Sequence, residues 1–283
     1  MMETPTADQF NELAMAAERY SKLFYERGAA LAYGTFDEEI SEDEIVSLSI
    51  HLSNANNEAW DLSLGTEGLF VLSWLHEQPA FCLAREALGF VPLDQDKGWQ
   101  PRFEQIIRRW AARKKRHGGT LVWSIERESK KFLTYLSGIA KAAHGYITKR
   151  RVRAAIDGPE KIEKIKSLLT EIEQLLAAEW IPENHRKNLL RLINTSKAID
   201  LLENQEIIST PLSRRNDNDL PARLMASEII RLHHELFSAT HKRAVFHLMG
   251  MAFIERPLEM RTIERLAKAE KDRLSQSCDR RNP

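Results

Sequence analysis

Apolar side chains recur every three or four residues along most of the 283-residue chain, and this spacing constrains the fold more than any other feature. Such spacing places apolar residues on one side of an α-helix. The first stripe runs from about Ala7 to Arg27, with Gly28 expected to end the helix, and consists of Phe10, Leu13, Ala14, Ala17, Tyr20 and Phe24. Because comparable stripes follow, we predict a mainly α fold, a bundle-like array of many helices.

Residues 45–64 fit two kinds of local structure. Ser41 followed by Glu44 matches a capping box, which predicts the start of a helix. Apolar and polar residues then alternate with the two-residue period of a strand, the apolar ones being Val46, Leu48, Ile50 and Leu52. The pattern therefore leaves a helix and a small β-hairpin near the N-terminus both open.

Proline and glycine mark further helix boundaries. Pro79 is expected to open a short helix that Gly89 ends, because proline fits the first turn and glycine the position beyond the last turn. A second helix is expected to begin at Pro101 and to end at the glycine pair 118–119. A longer helix with its own apolar stripe is predicted over about 121–147.

The C-terminal half is predicted to contain an αα-hairpin and a three-helix module. Asp157-Gly158-Pro159 is interpreted as a helix start, and Pro182 as the start of its antiparallel partner. Residues 209–221 are the linker candidate, since they are rich in Pro, Ser, Asn and Asp. The last helices are expected at about 222–238, 240–249 and 258–274.

Three regions follow from these patterns. They are an acidic N-terminal region, a helical region with basic clusters and the αα-hairpin, and the C-terminal three-helix module, at residues 1–96, 97–208 and 221–283. The formal net charge of zero hides a segregation between the first two. Residues 1–96 hold 4 basic and 18 acidic side chains, whereas residues 97–153 hold 16 basic and 3 acidic ones. Segregation on this scale indicates a charged partner.

Two basic clusters form the candidate phosphate-binding surface. The first lies on the helix that begins near Pro101, where arginines fall away from the apolar stripe, and the second follows Ile147. Guanidinium groups suit phosphate oxygens, and neutralising phosphates releases condensed counterions. The two clusters would form one surface if the helix that begins near Pro101 packs antiparallel to the helix predicted over about 121–147. The candidate nucleic-acid-binding residues are Arg102, Arg108, Arg109, Arg113, Lys114, Lys115, Arg116, Lys149, Arg150, Arg151 and Arg153.

Two simpler interpretations of these clusters stay open. Basic residues in the last turn of a helix are favoured by the helix dipole alone. Alternatively, the basic segment docks on the acidic region of this chain or of another copy. A related hypothesis is a helical subunit or inhibitor that acts by protein–protein contact, with the acidic region engaging a basic partner surface.

The C-terminal module offers a weaker DNA-reading pattern. Residues 260–267 contain a Thr-Ile-x-Arg-Leu run, in which Ile263 and Leu266 are expected to pack and Arg261 and Arg265 to be exposed. The connection before this helix is longer than the tight turn of a helix-turn-helix. Ordinary packing of three helices is therefore the expected role.

No metal site, cofactor or catalytic residue is expected. The clustered histidines lack the i, i+4 spacing of ligands on one helix, these being His233, His234, His241 and His247. Two cysteines, Cys82 and Cys278, are too few for a disulfide framework or a cysteine zinc site. Glu126 and Glu128 are interpreted as ordinary helix-surface carboxylates rather than a nuclease pair.

The expected location is the cytoplasm. The first ten residues lack the basic and apolar segments of a signal peptide, and no apolar stretch approaches the ~20 residues of a membrane span.

From the basic clusters and the missing catalytic and metal-binding patterns, we expect a non-enzymatic accessory or regulatory protein that binds DNA or RNA phosphates, without membrane contact. Protein–protein contact is the alternative.

Overall fold

The computed structural model describes residues 3–32, 40–90, 98–113, 118–177, 181–193, 198 and 218–279. Every regular element within these ranges is a helix, so the chain is mainly α-helical, as the apolar spacing predicts. The helices are α1 (Ala7–Ala14), α2 (Ala16–Ala32), α3 (Glu42–Glu77), α4 (Pro79–Ala87), α5 (Trp99–Ala111), α6 (Gly118–Ile147), α7 (Arg150–Ala177), α8 (Glu183–Ile193), α9 (Leu220–Phe237), α10 (Lys242–Leu248) and α11 (Met260–Asp279).

The chain divides into two compact units. The first unit combines Met1–Thr148 with Met225–Pro283, and the second unit is Lys149–Leu224. The three-region division drawn from composition stays a prediction. Over the described ranges, no helix combines the length and the apolar character that crossing a bilayer requires.

The N-terminal stripe is split over two helices. Thr6 and Gln9 form a capping box at the start of α1. The backbone N–H of Gln9 donates to the Thr6 hydroxyl at 3.3 Å, and the backbone N–H of Thr6 donates to the side-chain oxygen of Gln9 at 2.9 Å. The chain turns at Met15, and α2 then runs past Gly28. The predicted stop at Gly28 is wrong, because one glycine inside a helix costs only about 1 kcal/mol.

The predicted β-hairpin is also wrong, since residues 45–64 lie within α3. The capping box of Ser41 and Glu44 is present, with the Ser41 amide donating to the Glu44 carboxylate at 2.7 Å. Val46 and Ile50, which complete the alternating pattern, are 37% and 41% exposed. The residues that α3 buries follow the helical period instead, and include Ile45, Leu48, Leu52, Ala55 and Ala59.

Two glycines adopt backbone conformations that other residues rarely adopt. Gly65 interrupts α3 with a φ of 61°, so that two helical segments meet at an angle there. Gly89, with a φ of 75°, follows α4, whose first residue is Pro79. Both boundaries of α4 are therefore as predicted, with the left-handed conformation at the end supplied by glycine.

The core of the first unit forms around α6. This helix contacts α1, α2 and α5, while α3 packs on α1, α2 and α5 from another side. Fully buried side chains follow the length of α6, among them Leu121, Ile125, Leu136 and Ile139. A Cβ added at Gly138 would lie 2.4 Å from the Leu232 side chain of α9, so the two helices approach closely at the glycine.

The second unit contains the predicted αα-hairpin, with α7 contacting α8. The predicted helix start at Asp157-Gly158-Pro159 is wrong, because α7 begins at Arg150 and continues through Pro159. An internal proline removes one backbone hydrogen bond, and here the helix continues on both sides of it. Residues 209–217 of the predicted linker lie outside the described residues.

Candidate functional site

The orientation of α5 is set by three aromatic or aliphatic residues. Phe103 and Ile107 are fully buried and Trp110 is 2% exposed, with spacings of four and three residues. α3 and α6 both contact α5. Because the buried stripe takes up one side of the helix, the polar residues of α5 are directed outward.

Three of the predicted arginines lie on α5 or directly after it. Arg102 and Arg109 are seven residues apart, which places them along one line of the helix, and Arg113 follows two residues after the helix ends at Ala111. Arg109 and Arg113 are exposed, and neither makes an ion pair with any residue that the structure describes. We call Arg102, Arg109 and Arg113 the arginine face.

The guanidinium of Arg102 lies over an aromatic ring. It is 5.1 Å from the centroid of the Trp99 ring, which in turn stacks on Phe103 at 5.7 Å. Since Phe103 is part of the core, this chain of contacts holds the half-buried Arg102 at the start of α5. A cation that an aromatic ring holds in place also loses less conformational freedom on binding an anion than a freely rotating cation does.

Arg108 behaves differently from its neighbours. Its guanidinium pairs with the Glu42 carboxylate at the start of α3, and Glu104 lies 4.0 Å away on α5 itself. The hydrogen bond to Glu42 raises the pKa of the Arg108 guanidinium above its ordinary value. At Arg108, the basic segment contacts the acidic N-terminal region.

The second basic cluster lies at the start of α7, in the second unit. Lys149 directly precedes the helix with a φ of 52°, and Arg150, Arg151 and Arg153 occupy its first turn. Lys149, Arg150 and Arg153 are exposed, and Arg151 is half-buried. The positive end of the helix dipole disfavours cations, so dipole stabilisation does not account for this cluster.

Three of the predicted residues lie outside the described residues, namely Lys114, Lys115 and Arg116. The α5 arginines belong to the first unit, and the α7 cluster belongs to the second. A single continuous basic surface made from both clusters therefore stays a prediction.

A cavity of about 520 Å³ lies beside α6 and is lined by residues other than the predicted phosphate-binding ones. Trp123 on its wall is 53% exposed, with the Arg127 guanidinium 4.9 Å from the ring centroid. Lys130 and Lys131 also line the cavity. The i, i+4 spacing of Trp123 and Arg127 is the signal in the sequence that indicates this contact.

The charges around this cavity balance one another. Glu126, Glu128 and Glu235 line it together with the three cations. Glu126 is 7% exposed, accepts a hydrogen bond from the Ser21 hydroxyl at 2.8 Å and pairs with Lys130 at 3.4 Å. A balanced lining does not extend the positive field of the arginine face.

Two of the clustered histidines, His233 and His241, are part of an aromatic core. His233 is fully buried, with its Nδ1 3.4 Å from the Thr240 carbonyl oxygen, and its ring stacks on Tyr135 at 5.8 Å. Burial lowers the pKa of His233 to about 4. Among the residues that the structure describes, no three His, Cys, Asp or Glu side chains are grouped so as to hold a metal ion.

The C-terminal module packs as predicted at its last helix. Ile263 and Leu266 of α11 are buried, whereas Arg261 and Arg265 are exposed. The long connection between α10 and α11 has a packing role, because its Phe253 contacts Phe10 and Trp74 at centroid distances of 5.4 and 6.1 Å.

No known protein family, no curated protein and no solved structure matches the chain.

Proposed function

We propose that the chain binds the phosphate backbone of DNA or RNA through its basic helical surface, as a non-enzymatic accessory or regulatory protein. The observation that carries the proposal is the arginine face of α5. Arg109 and Arg113 are exposed and unpaired among the described residues, so their field extends into solvent. The first-turn cations of α7 are a second source of positive charge.

The dimensions of the arginine face suit a phosphate backbone. Arg102 and Arg109 are seven residues apart on α5, which is about 10 Å along a helix, or the rise of about three base pairs. Contacts to phosphates position a protein on a duplex without reading its sequence. We therefore expect binding with little sequence preference.

The test is a binding titration with labelled duplex DNA and with single-stranded RNA. Arg109→Glu/Arg113→Glu should weaken binding by at least about tenfold at low salt, because two attractive charges become repulsive. The triple variant that adds Arg116→Glu should weaken it further. The matched control is Lys242→Glu/Arg243→Glu on α10, which makes the same change of net charge at two exposed residues outside the predicted phosphate-binding set.

The proposal predicts that the control binds like the wild-type chain. Retention of full affinity by Arg109→Glu/Arg113→Glu, with its helical circular dichroism intact, would overturn it. Equal losses in the control and in the test variant would also overturn it, because they would indicate a general effect of net charge rather than lost phosphate contacts at the arginine face.

Protein–protein contact through the acidic region is the second candidate function. It is supported by Asp43 and Asp61 on α3, which are exposed and make no ion pair with a described residue. Capture of partners from a nuclease-treated lysate separates the two functions. Nucleic acid that resists removal supports the first function, and a stoichiometric basic protein supports the second.

A further inference from the structure

The long helix α7 exposes an apolar stripe that its own hairpin does not cover. Ile165, Leu168, Ile172 and Leu175 follow one another at spacings of three, four and three residues and are between 36% and 54% exposed. Residues at this spacing lie on one side of a helix. Scattered exposed apolar residues are ordinary on a protein surface, but a continuous row of four is typical of an interface.

The neighbouring side of α7 is more buried. Leu176 is 8% exposed, and Ile162 and Leu169, which precede it at seven-residue spacing, are half-buried. The apolar surface of α7 is therefore wider than the part that is covered. The exposed row spans ten residues, or about 15 Å of helix, which is enough for two layers of helix–helix packing.

The charges beside this row are self-complementary. Lys164 and Glu171 lie on the same flank of the row, four residues before and three residues after Leu168. Both are exposed, and neither makes an ion pair with any described residue. By contrast, Lys161 pairs with Asp157 at 3.5 Å on the same helix.

This charge pattern distinguishes the two orientations of a second copy. An antiparallel α7 centred on Leu168 places Lys164 of one copy beside Glu171 of the other, and the twofold symmetry repeats the pair. A parallel α7 related by a twofold axis would place this flank of the two copies on opposite edges of the interface, so that Lys164 and Glu171 would not meet. The flanking charges therefore favour the antiparallel arrangement.

We propose that two copies of this chain associate through the exposed rows of their α7 helices, antiparallel and centred on Leu168. The row is short compared with a standard interface of ~800 Å² per partner. We therefore expect a dimer that dissociates on dilution. This association is independent of nucleic acid, so it stands or falls separately from the proposed phosphate binding.

The experiment measures the mass of the nuclease-treated full chain by sedimentation velocity over a wide range of concentrations. Lys164→Glu or Glu171→Lys alone should raise the dimer dissociation constant about tenfold, because each change places like charges together twice. The double variant Lys164→Glu/Glu171→Lys should restore the wild-type constant, since the pairs form again with their signs exchanged.

A second variant probes the centre of the row. Leu168→Glu should abolish the dimer, since two carboxylates would meet at the symmetry axis. Gln174→Glu is the matched control, because Gln174 is exposed on the opposite side of α7, and it should dimerise like the wild type. Helical circular dichroism checks that each variant folds.

A wild-type chain that stays monomeric at every concentration would overturn the proposal. A dimer that tolerates Leu168→Glu would overturn it as well. Failure of the charge-exchanged double variant to recover dimerisation would contradict the antiparallel arrangement, even if Leu168→Glu did not fold.

Discussion

The helices α5 and α7 present opposite kinds of surface. α5 buries Phe103, Ile107 and Trp110 and exposes arginines, whereas α7 exposes a row of isoleucine and leucine side chains. Both helices have apolar residues at helical spacing in the sequence. The period in the sequence therefore identifies an apolar stripe but not what covers it. The surface of α5 suits a polyanion, and that of α7 suits another apolar helix.

The largest expected difference between the two helices concerns stability. Ile107 is fully buried in α5, and Ile165 is 44% exposed on α7. Ile107→Ala should lower the free energy of unfolding by about 2–5 kcal/mol, because it leaves a cavity. Ile165→Ala should lower it by less than about 1 kcal/mol in dilute solution, since little buried surface is lost.

Urea unfolding followed by circular dichroism measures both values. Since the same substitution is made in both helices, differences in side-chain chemistry cancel. Equal losses for Ile107→Ala and Ile165→Ala would mean that the row on α7 is already covered.

The next largest effect is a loss of stability in acid, which distinguishes the first unit. Burial lowers the pKa of His233 from 6.5 to about 4 in the folded state. As the pH falls through 6.5, the unfolded chain binds a proton that the folded chain does not bind. The stability present above pH 6.5 is therefore lost as the pH falls toward 4, by as much as about 3 kcal/mol.

His76 contributes in the same direction, since burial, with the nearby charge of Arg85, also lowers its pKa to about 4. Unfolding free energies measured between pH 7 and pH 4 test the effect. His233→Asn should flatten this profile, and His51→Asn, at an exposed position on α3, is the matched control. A profile of unchanged steepness in His233→Asn would refute the assignment.

A smaller effect is expected at a buried polar link between α2, α3 and α6. The Tyr20 hydroxyl donates to the Asn56 side-chain oxygen at 2.7 Å and lies 2.5 Å from the Ser129 hydroxyl. Burial raises the pKa of Tyr20, so the phenol stays protonated and able to donate. Tyr20→Phe should cost about 1–2 kcal/mol of unfolding free energy, because it leaves the Asn56 oxygen without its donor.

Urea unfolding of Tyr20→Phe also provides this measurement. An unfolding free energy of Tyr20→Phe equal to that of the wild type would show that the link does not stabilise the first unit.

Much of the fold was predictable because helix boundaries and apolar stripes are local signals. Pro79 and Gly89 delimit α4, and the capping residues Ser41 and Glu44 start α3. The β-hairpin prediction failed because Val46 and Ile50 complete an alternating pattern while facing solvent. Only tertiary packing shows which apolar residues of a mixed pattern are buried.

The candidate site was predictable only in part, for a similar reason. The period of α5 directs Arg109 outward, and Arg109 and the following Arg113 are both exposed. The sequence does not show that Arg108 pairs with Glu42, because the two residues are 66 positions apart. A contact of this kind depends on how α3 and α5 pack, which no local pattern contains.

The salt dependence of nucleic-acid binding is the most direct test of phosphate binding by the arginine face. The logarithm of the binding constant of the wild-type chain for duplex DNA should fall linearly with the logarithm of the salt concentration. For Arg109→Gln/Arg113→Gln the slope should be shallower by about 2, because two phosphate contacts that release counterions are lost. Identical slopes for the wild type and this variant would contradict a phosphate-binding role for the arginine face.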